Sequence, residues 1–245
     1  MSFEILPSVL GEALAERGYE NPTSVQAAVI APEAVGRDLI VSAQTGSGKT
    51  VAFGIALAEQ LLGSLGEGTG GGARAETPRV LIIAPTRELA LQVSRELGWL
   101  YGKAGVRIAS LGTPGRLRDH IERGALDLSA LVGLVLDEAD EMLDMGFRDD
   151  LEEILDATPE TRRTLMFSAT MPRAIKRLAE RYQSNALQLQ LKGQDRGHSD
   201  IPRVCRDRCC RARYRFADAE LGHPCRNAAR CGDFTTPLGP DWPRR

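Results

Sequence analysis

"DLIVSAQTGSGKT" occupies residues 38–50. A short apolar run ends in a loop of two glycines, a lysine and a threonine. The loop "AQTGSGKT" (43–50) fits the pattern G-x-x-x-x-G-K-[ST], with Ala43 standing where the first glycine would be. Gly46 and Gly48 let the backbone curl so that successive N–H groups converge on phosphate oxygens. A helix starting there aims its positive end at the same point. Lys49 adds a mobile positive charge and Thr50 a hydroxyl for Mg²⁺, while Thr45 and Ser47 complete the loop. The alternative is a glycine turn carrying a surface lysine. Residue type, spacing and the strand–loop–helix setting together favour a nucleotide site.

Outward from this loop, five more apolar runs have strand character: 79–84, 106–111, 131–136, 164–169 and 186–191. Helix-period segments lie between them. Residues 86–101 put Leu89, Val93, Leu97 and Leu100 on one stripe. Residues 172–183 open with Pro172 and carry Ile175, Leu178, Ala179 and Tyr182 on one side. This alternation predicts an α/β domain, a parallel sheet flanked by helices on both faces. Ligands of such sheets bind beyond the carboxyl ends of the strands. The stretch "GSLGEGTGGG" (63–72), with six glycines, reads as a surface loop.

The strand at 131–136 runs straight into Asp137, Glu138 and Asp140. Like charges crowded there repel. If this strand lies beside strand 38–43, the Mg²⁺ of a bound nucleotide offsets the repulsion. Asp137 and Thr50 are then the metal-facing residues. Glu138 is placed to orient or deprotonate the water that attacks the terminal phosphate. Lys49, Asp137 and Glu138 are therefore the candidate catalytic set. The alternative is an acidic first turn on a solvated helix, favourable at its positive end; the phosphate loop weighs against it.

The chain has 245 residues, 42% hydrophobic and 26% charged, enough for one sizeable core. No apolar run approaches the ~20 residues of a membrane span, and the N-terminal stretch lacks the basic-then-apolar pattern of a secretory signal. A cytoplasmic protein is expected. The net charge of −2 is unevenly spread: from Arg203 onward ten arginines face five acids, so residues 1–202 carry −7. All five cysteines also lie after residue 204.

Asp137-Glu138-Ala139-Asp140, read with "AQTGSGKT", resembles the DEAD-box RNA helicases. "GYENPTSVQ" (18–26), "PTRELA" (85–90), "TPGR" (113–116) and "SAT" (168–170) are similar to the family's other motifs and come in the family's order. The resemblance spans about residues 3–200. It implies a RecA-like P-loop domain that takes ATP and Mg²⁺ and acts on single-stranded or duplex RNA. It further implies that Gln26 reads adenine and Phe3 stacks on it. Pro85, Thr86, Arg87, Thr113, Pro114, Gly115 and Arg116 would grip the RNA backbone. Ser168, Ala169 and Thr170 would couple ATP state to strand separation. A monomer is expected.

Three departures from the family stand out. Between "PTRELA" and "TPGR" the chain is too short for the family's glycine pair, helix and extra strand, so the sheet is expected to be one strand short and RNA grip weakened. The family's second RecA-like domain, which supplies an arginine finger, is not recognisable here. Such a finger is worth ~10³–10⁵ in rate in related phosphoryl transfer, so this chain alone is expected to hydrolyse ATP poorly and to unwind nothing. The competing class is a non-enzymatic ATP- or RNA-binding fragment. The third departure concerns domains: residues 1–192 form the RecA-like domain, 193–202 a linker, and 203–245 a disordered or non-native tail. The tail reads as out-of-frame sequence. A zinc module is not expected from its C-x3-C-C-x14-C-x5-C spacing, and a basic RNA-binding arm is the remaining reading.

Overall fold

Successive side chains of a strand enter opposite faces of its sheet, and the computed structural model shows two cores built on that alternation. It describes residues 3–63 and 77–191. Five strands, all parallel, form one sheet: β1 (Leu39–Ser42), β2 (Val80–Ile83), β3 (Gly133–Leu136), β4 (Arg163–Ser168) and β5 (Leu187–Gln190), in the order β2-β3-β4-β1-β5. β3 and β4 are buried throughout, as central strands covered on both faces must be. β5 alternates half-buried leucines with exposed glutamines, the pattern of an edge strand.

Among the described residues, nine helices cover the sheet: α1 (Ser8–Glu16), α2 (Ser24–Val29), α3 (Lys49–Ala56), α4 (Ala58–Leu62), α5 (Arg87–Leu100), α6 (Pro114–Glu122), α7 (Ala139–Asp144), α8 (Arg148–Asp156) and α9 (Arg173–Tyr182). Val135, Leu165 and Phe167 enter the core shared with α1, α2, α3 and α5. Their neighbours Leu134, Leu136 and Met166 enter the opposite core with α6, α7, α8 and α9. This is the period-two geometry of a strand read off directly. Gly133 is the one small residue of β3; a Cβ there would come within 2.9 Å of Leu57 Cδ2.

Two expectations are corrected. β3 does not lie beside β1; β4 runs between them. Asp137 therefore reaches the phosphate loop across the end of the strand that carries "SAT". Residues 106–111 form no strand. Val106 packs against the first core, but Ile108 and Leu111 are 37% and 43% exposed, so the rest of the run has no covered face. The 14-residue α5 descends the sheet by about 21 Å. The chain returns to Thr113 in the eleven residues after Tyr101, enough for one extended segment but not for a further strand and helix as well. α6 itself forms, and it supplies the crossover to β3. The glycine-rich stretch beyond Gly63, the expected linker and the tail with its cysteines lie outside the described residues.

The strand starts are tied together by buried charges. Asp38 accepts hydrogen bonds from the N–H groups of Thr164 and Ser184, both at 2.7 Å. The Arg163 guanidinium donates to the carbonyls of Ala34, Arg37 and Ala56. Fully partnered in this way, buried charges are tolerated. They fix the end of the sheet opposite the phosphate loop.

Candidate nucleotide and nucleic-acid site

The loop after β1 takes the shape its glycines permit. Gly46 and Gly48 sit at φ +80° and +85°, in the left-handed region. Ala43 continues the ladder, donating to the Ser168 carbonyl at 3.1 Å. Lys49 starts α3 and is only 6% exposed. Its Nζ lies 3.4 Å from Glu138 Oε1, and Thr45 Oγ1 lies 3.5 Å from the same oxygen. Glu138 adopts φ 51°, a left-handed conformation that a residue with a side chain rarely takes.

Asp137 is 5% exposed, and its backbone N–H donates to the Ile83 carbonyl at 2.9 Å. Its Oδ1 and the Ser47 hydroxyl are buried without a hydrogen-bond partner. Burial pushes the Asp137 carboxyl up to about 6; the charge of Lys49 opposes this and that of Glu138 adds to it. Glu141 is also pushed up, first by a hydrogen bond shared with Glu138. An orphaned buried carboxylate oxygen next to a phosphate-type loop fits a hard dication. Among the described residues no group of three His, Cys, Asp or Glu side chains gathers to hold a metal. A cation here must therefore draw ligands from phosphate and water, the usual manner of Mg²⁺.

Gln26 is fully buried. Its carboxamide oxygen accepts from the Thr23 N–H at 2.9 Å, and its Nε2 lies 3.5 Å from the Gly48 carbonyl. Thr23 closes the capping box on α2 and donates through Oγ1 to the Ser47 carbonyl at 3.0 Å. The pair thus props the phosphate loop from below. Phe3 is 8% exposed and belongs to the first core.

Thr86 caps α5, its Oγ1 accepting from the Leu89 N–H at 3.2 Å, with Pro85 buried before it and Arg87 exposed after it. Thr113 precedes α6, Pro114 is buried at its first position, Gly115 is half-buried and Arg116 exposed. α5 leaves a strand's carboxyl end and α6 leads down to a strand's start. Both helices therefore begin at the carboxyl side of the sheet, where the phosphate loop also lies. Arg118 ties α6 to α8 through Asp150 at 2.5 Å.

"SAT" meets the acidic motif directly. Asp140 Oδ2 accepts from the N–H and Oγ1 of Thr170, at 2.9 and 2.7 Å, and Ser168 Oγ donates to the Thr170 carbonyl at 2.7 Å. Ala169 is exposed between them. Burial raises the Asp140 carboxyl, but the donors Thr170 and Ser168 outweigh it and hold the group below the ordinary range. The sequence reading gave no role to Thr23 or to Asp140 by itself. A threonine three residues before glutamine at a helix start was the available sign for the first. No local sign marks the second, because its partner is 30 residues away.

Residues 23–178 match the model of the DEAD/DEAH box helicase family. The chain is 42% identical over 211 residues to an ATP-dependent RNA helicase DeaD of Mycobacterium tuberculosis, covering 77% of this chain and 36% of that protein. It is equally 42% identical over 212 residues to the protein of that name in Escherichia coli, covering 78% and 32%. It thus spans about a third of the length of these curated relatives. Among solved structures it resembles a DEAD box protein of Methanococcus jannaschii, with TM-score 0.65 and 34% identity over 78% of this chain and 56% of that one. It also resembles the RNA-helicase Prp28 of Chaetomium thermophilum bound to ADP, with TM-score 0.65 and 36% identity over 77% and 50%. The five-stranded parallel sheet is that of a RecA-like domain, and the chain belongs to the DEAD/DEAH box helicase family.

Proposed function

We propose that this chain binds ATP with Mg²⁺ at the loop 43–50 and couples nucleotide state to single-stranded RNA held along the carboxyl side of the sheet. The observation that carries the reading is the pairing of Lys49 with Glu138 beside the orphaned Oδ1 of buried Asp137. Lys49 and the loop N–H groups neutralise the phosphates. Thr50 and Asp137 hold the cation, which when bound spreads charge between the terminal phosphate oxygens. Glu138 orients the attacking water. Gln26, buried beneath the loop, supports it and would read an adenine edge only after its side chain turns outward. Thr86, Arg87, Thr113, Gly115 and Arg116 grip RNA phosphates without reading bases. The Asp140–Thr170 link carries the signal between the acidic motif and β4.

A second reading, nucleotide binding uncoupled from RNA, is favoured by the exposed run 106–111. The alignments with the relatives, 211 and 212 residues long, exceed the 77% and 78% of this chain that they take in, so this chain is the shorter one within the aligned stretch. An ATPase assay with and without single-stranded RNA separates the two. RNA-stimulated turnover supports coupling, nucleotide binding with RNA-independent turnover supports the second reading, and failure to bind ATP removes both.

A further inference from the structure

On the face opposite the phosphate loop's helix, α7, α8 and α9 enclose a depression of about 90 Å³. Its apolar wall is Leu143, Ala174 and Leu178; its charged wall is Arg148, Arg177 and Arg181. Leu178 is buried and Leu143 half-buried, while Ala174 and the three arginines are exposed, so the two leucines lie deepest. Glu152 accepts from Arg148 at 2.9 Å and from Arg181 at 2.6 Å, and Asp156 accepts from the other end of Arg181 at 3.3 Å, which fixes both guanidiniums. Among the described residues Arg177 has no acidic partner, nor do Arg173 and Lys176 on the same helix. Cations near the start of a helix oppose its dipole, so Arg173 and Lys176 do not serve the stability of α9. In a segment of net charge −7, a groove whose lining holds three arginines against one glutamate runs against the average.

We propose that this groove docks an acidic segment of a partner protein, with one aliphatic side chain seated between Leu143 and Leu178 and flanking carboxylates on the arginine rim. Bidentate guanidinium–carboxylate pairs suit the rim, and a single branched side chain suits the pit. A nucleic-acid strand fits less well. No aromatic side chain lines the groove to stack a base, and Glu152 sits in its wall.

The full chain is titrated into a fluorescein-labelled short peptide of aspartates and glutamates around one central leucine, read by anisotropy. Saturable binding is expected. Arg177→Glu should weaken it about tenfold or more, and Lys176→Glu, the same charge change outside the groove, by much less. Replacing the peptide leucine by serine should weaken it about fivefold. Both protein variants change exposed residues, and unchanged melting curves confirm that they fold. No binding, equal losses from the two variants, equal affinity for the serine peptide, or displacement of the peptide by a single-stranded RNA oligonucleotide at equal concentration would each overturn the proposal.

Discussion

Lys49 Nζ and Glu138 Oε1 lie 3.4 Å apart although their strands, β1 and β3, are separated by β4. The contact spans the carboxyl edge of the sheet. It brings a residue in the left-handed region to the only cation of the phosphate loop. Backbone strain of this kind costs on the order of 1–3 kcal/mol and persists where surrounding structure enforces it. Without nucleotide, Glu138 serves as the counterion of a nearly buried lysine. A phosphate that takes over Lys49 would release Glu138 for the water it is proposed to orient.

Lys49→Ala should therefore abolish nucleotide binding, lowering ATP affinity by about 100-fold or more, since a buried charge-assisted contact disappears. The fold should survive, because Glu138 is partly solvent-accessible and can hydrate. Isothermal calorimetry checks the first point and a thermal melt the second. ATP affinity within a factor of about two of the parent would remove Lys49 from the site.

Asp137 gives a pH signature with a definite sign. Its carboxyl titrates at about 6 in the folded chain against an ordinary value of 3.8. The folded state thus holds this proton more tightly than the unfolded one, and the ligand-free fold loses stability as pH rises through that window. The full loss is about 3 kcal/mol above pH 7. Binding of Mg²⁺ with ATP needs the ionised form, so it should strengthen as pH rises through about 6. Asp137→Asn should flatten the stability profile, stabilise the ligand-free chain at neutral pH and weaken the Mg²⁺ dependence of ATP binding. Melts across pH 4–8, with and without Mg²⁺-ATP, measure all three.

The phosphate loop and the acidic motif were legible because their chemistry is local: a few adjacent letters dictate backbone shape and charge. The strand order was not. Placing β4 between β1 and β3 depends on which helices pack together, and no short window of sequence contains that. The run 106–111 has strand letters and no strand, because a strand needs a neighbour and a covered face. Nothing local marks Asp38 and Arg163 either: both are charged, yet both are buried and bound to backbone groups.

The Asp140–Thr170 link should behave as a coupling element. Thr170→Val removes one hydrogen bond to an ionised acceptor and keeps the backbone N–H contact. The cost to stability should be about 1 kcal/mol or less at this exposed position. ATP affinity should stay within about twofold, while any RNA stimulation of turnover falls several-fold. Parallel loss of ATP binding and RNA stimulation would show that the link shapes the nucleotide site itself.

Gly54 offers a test of the helix packing behind the loop. It lies in α3 against α5, where a Cβ would come within 2.7 Å of Leu100 Cδ2 and 3.0 Å of Leu97 Cδ2. Both leucines are buried and have no solvent to swing into. Tyr101 Oη donates to the Gly54 carbonyl at 2.7 Å, which holds the two helices at this distance. Alanine would gain about 1 kcal/mol in helix propensity and lose about 1–3 kcal/mol to overpacking. Gly54→Ala should therefore lower stability in a urea titration, and adding Leu100→Val should recover part of that loss in a double-mutant cycle. A Gly54→Ala chain more stable than its parent would mean that α3 and α5 have room to separate, and that the phosphate loop rests on a softer support than this packing describes.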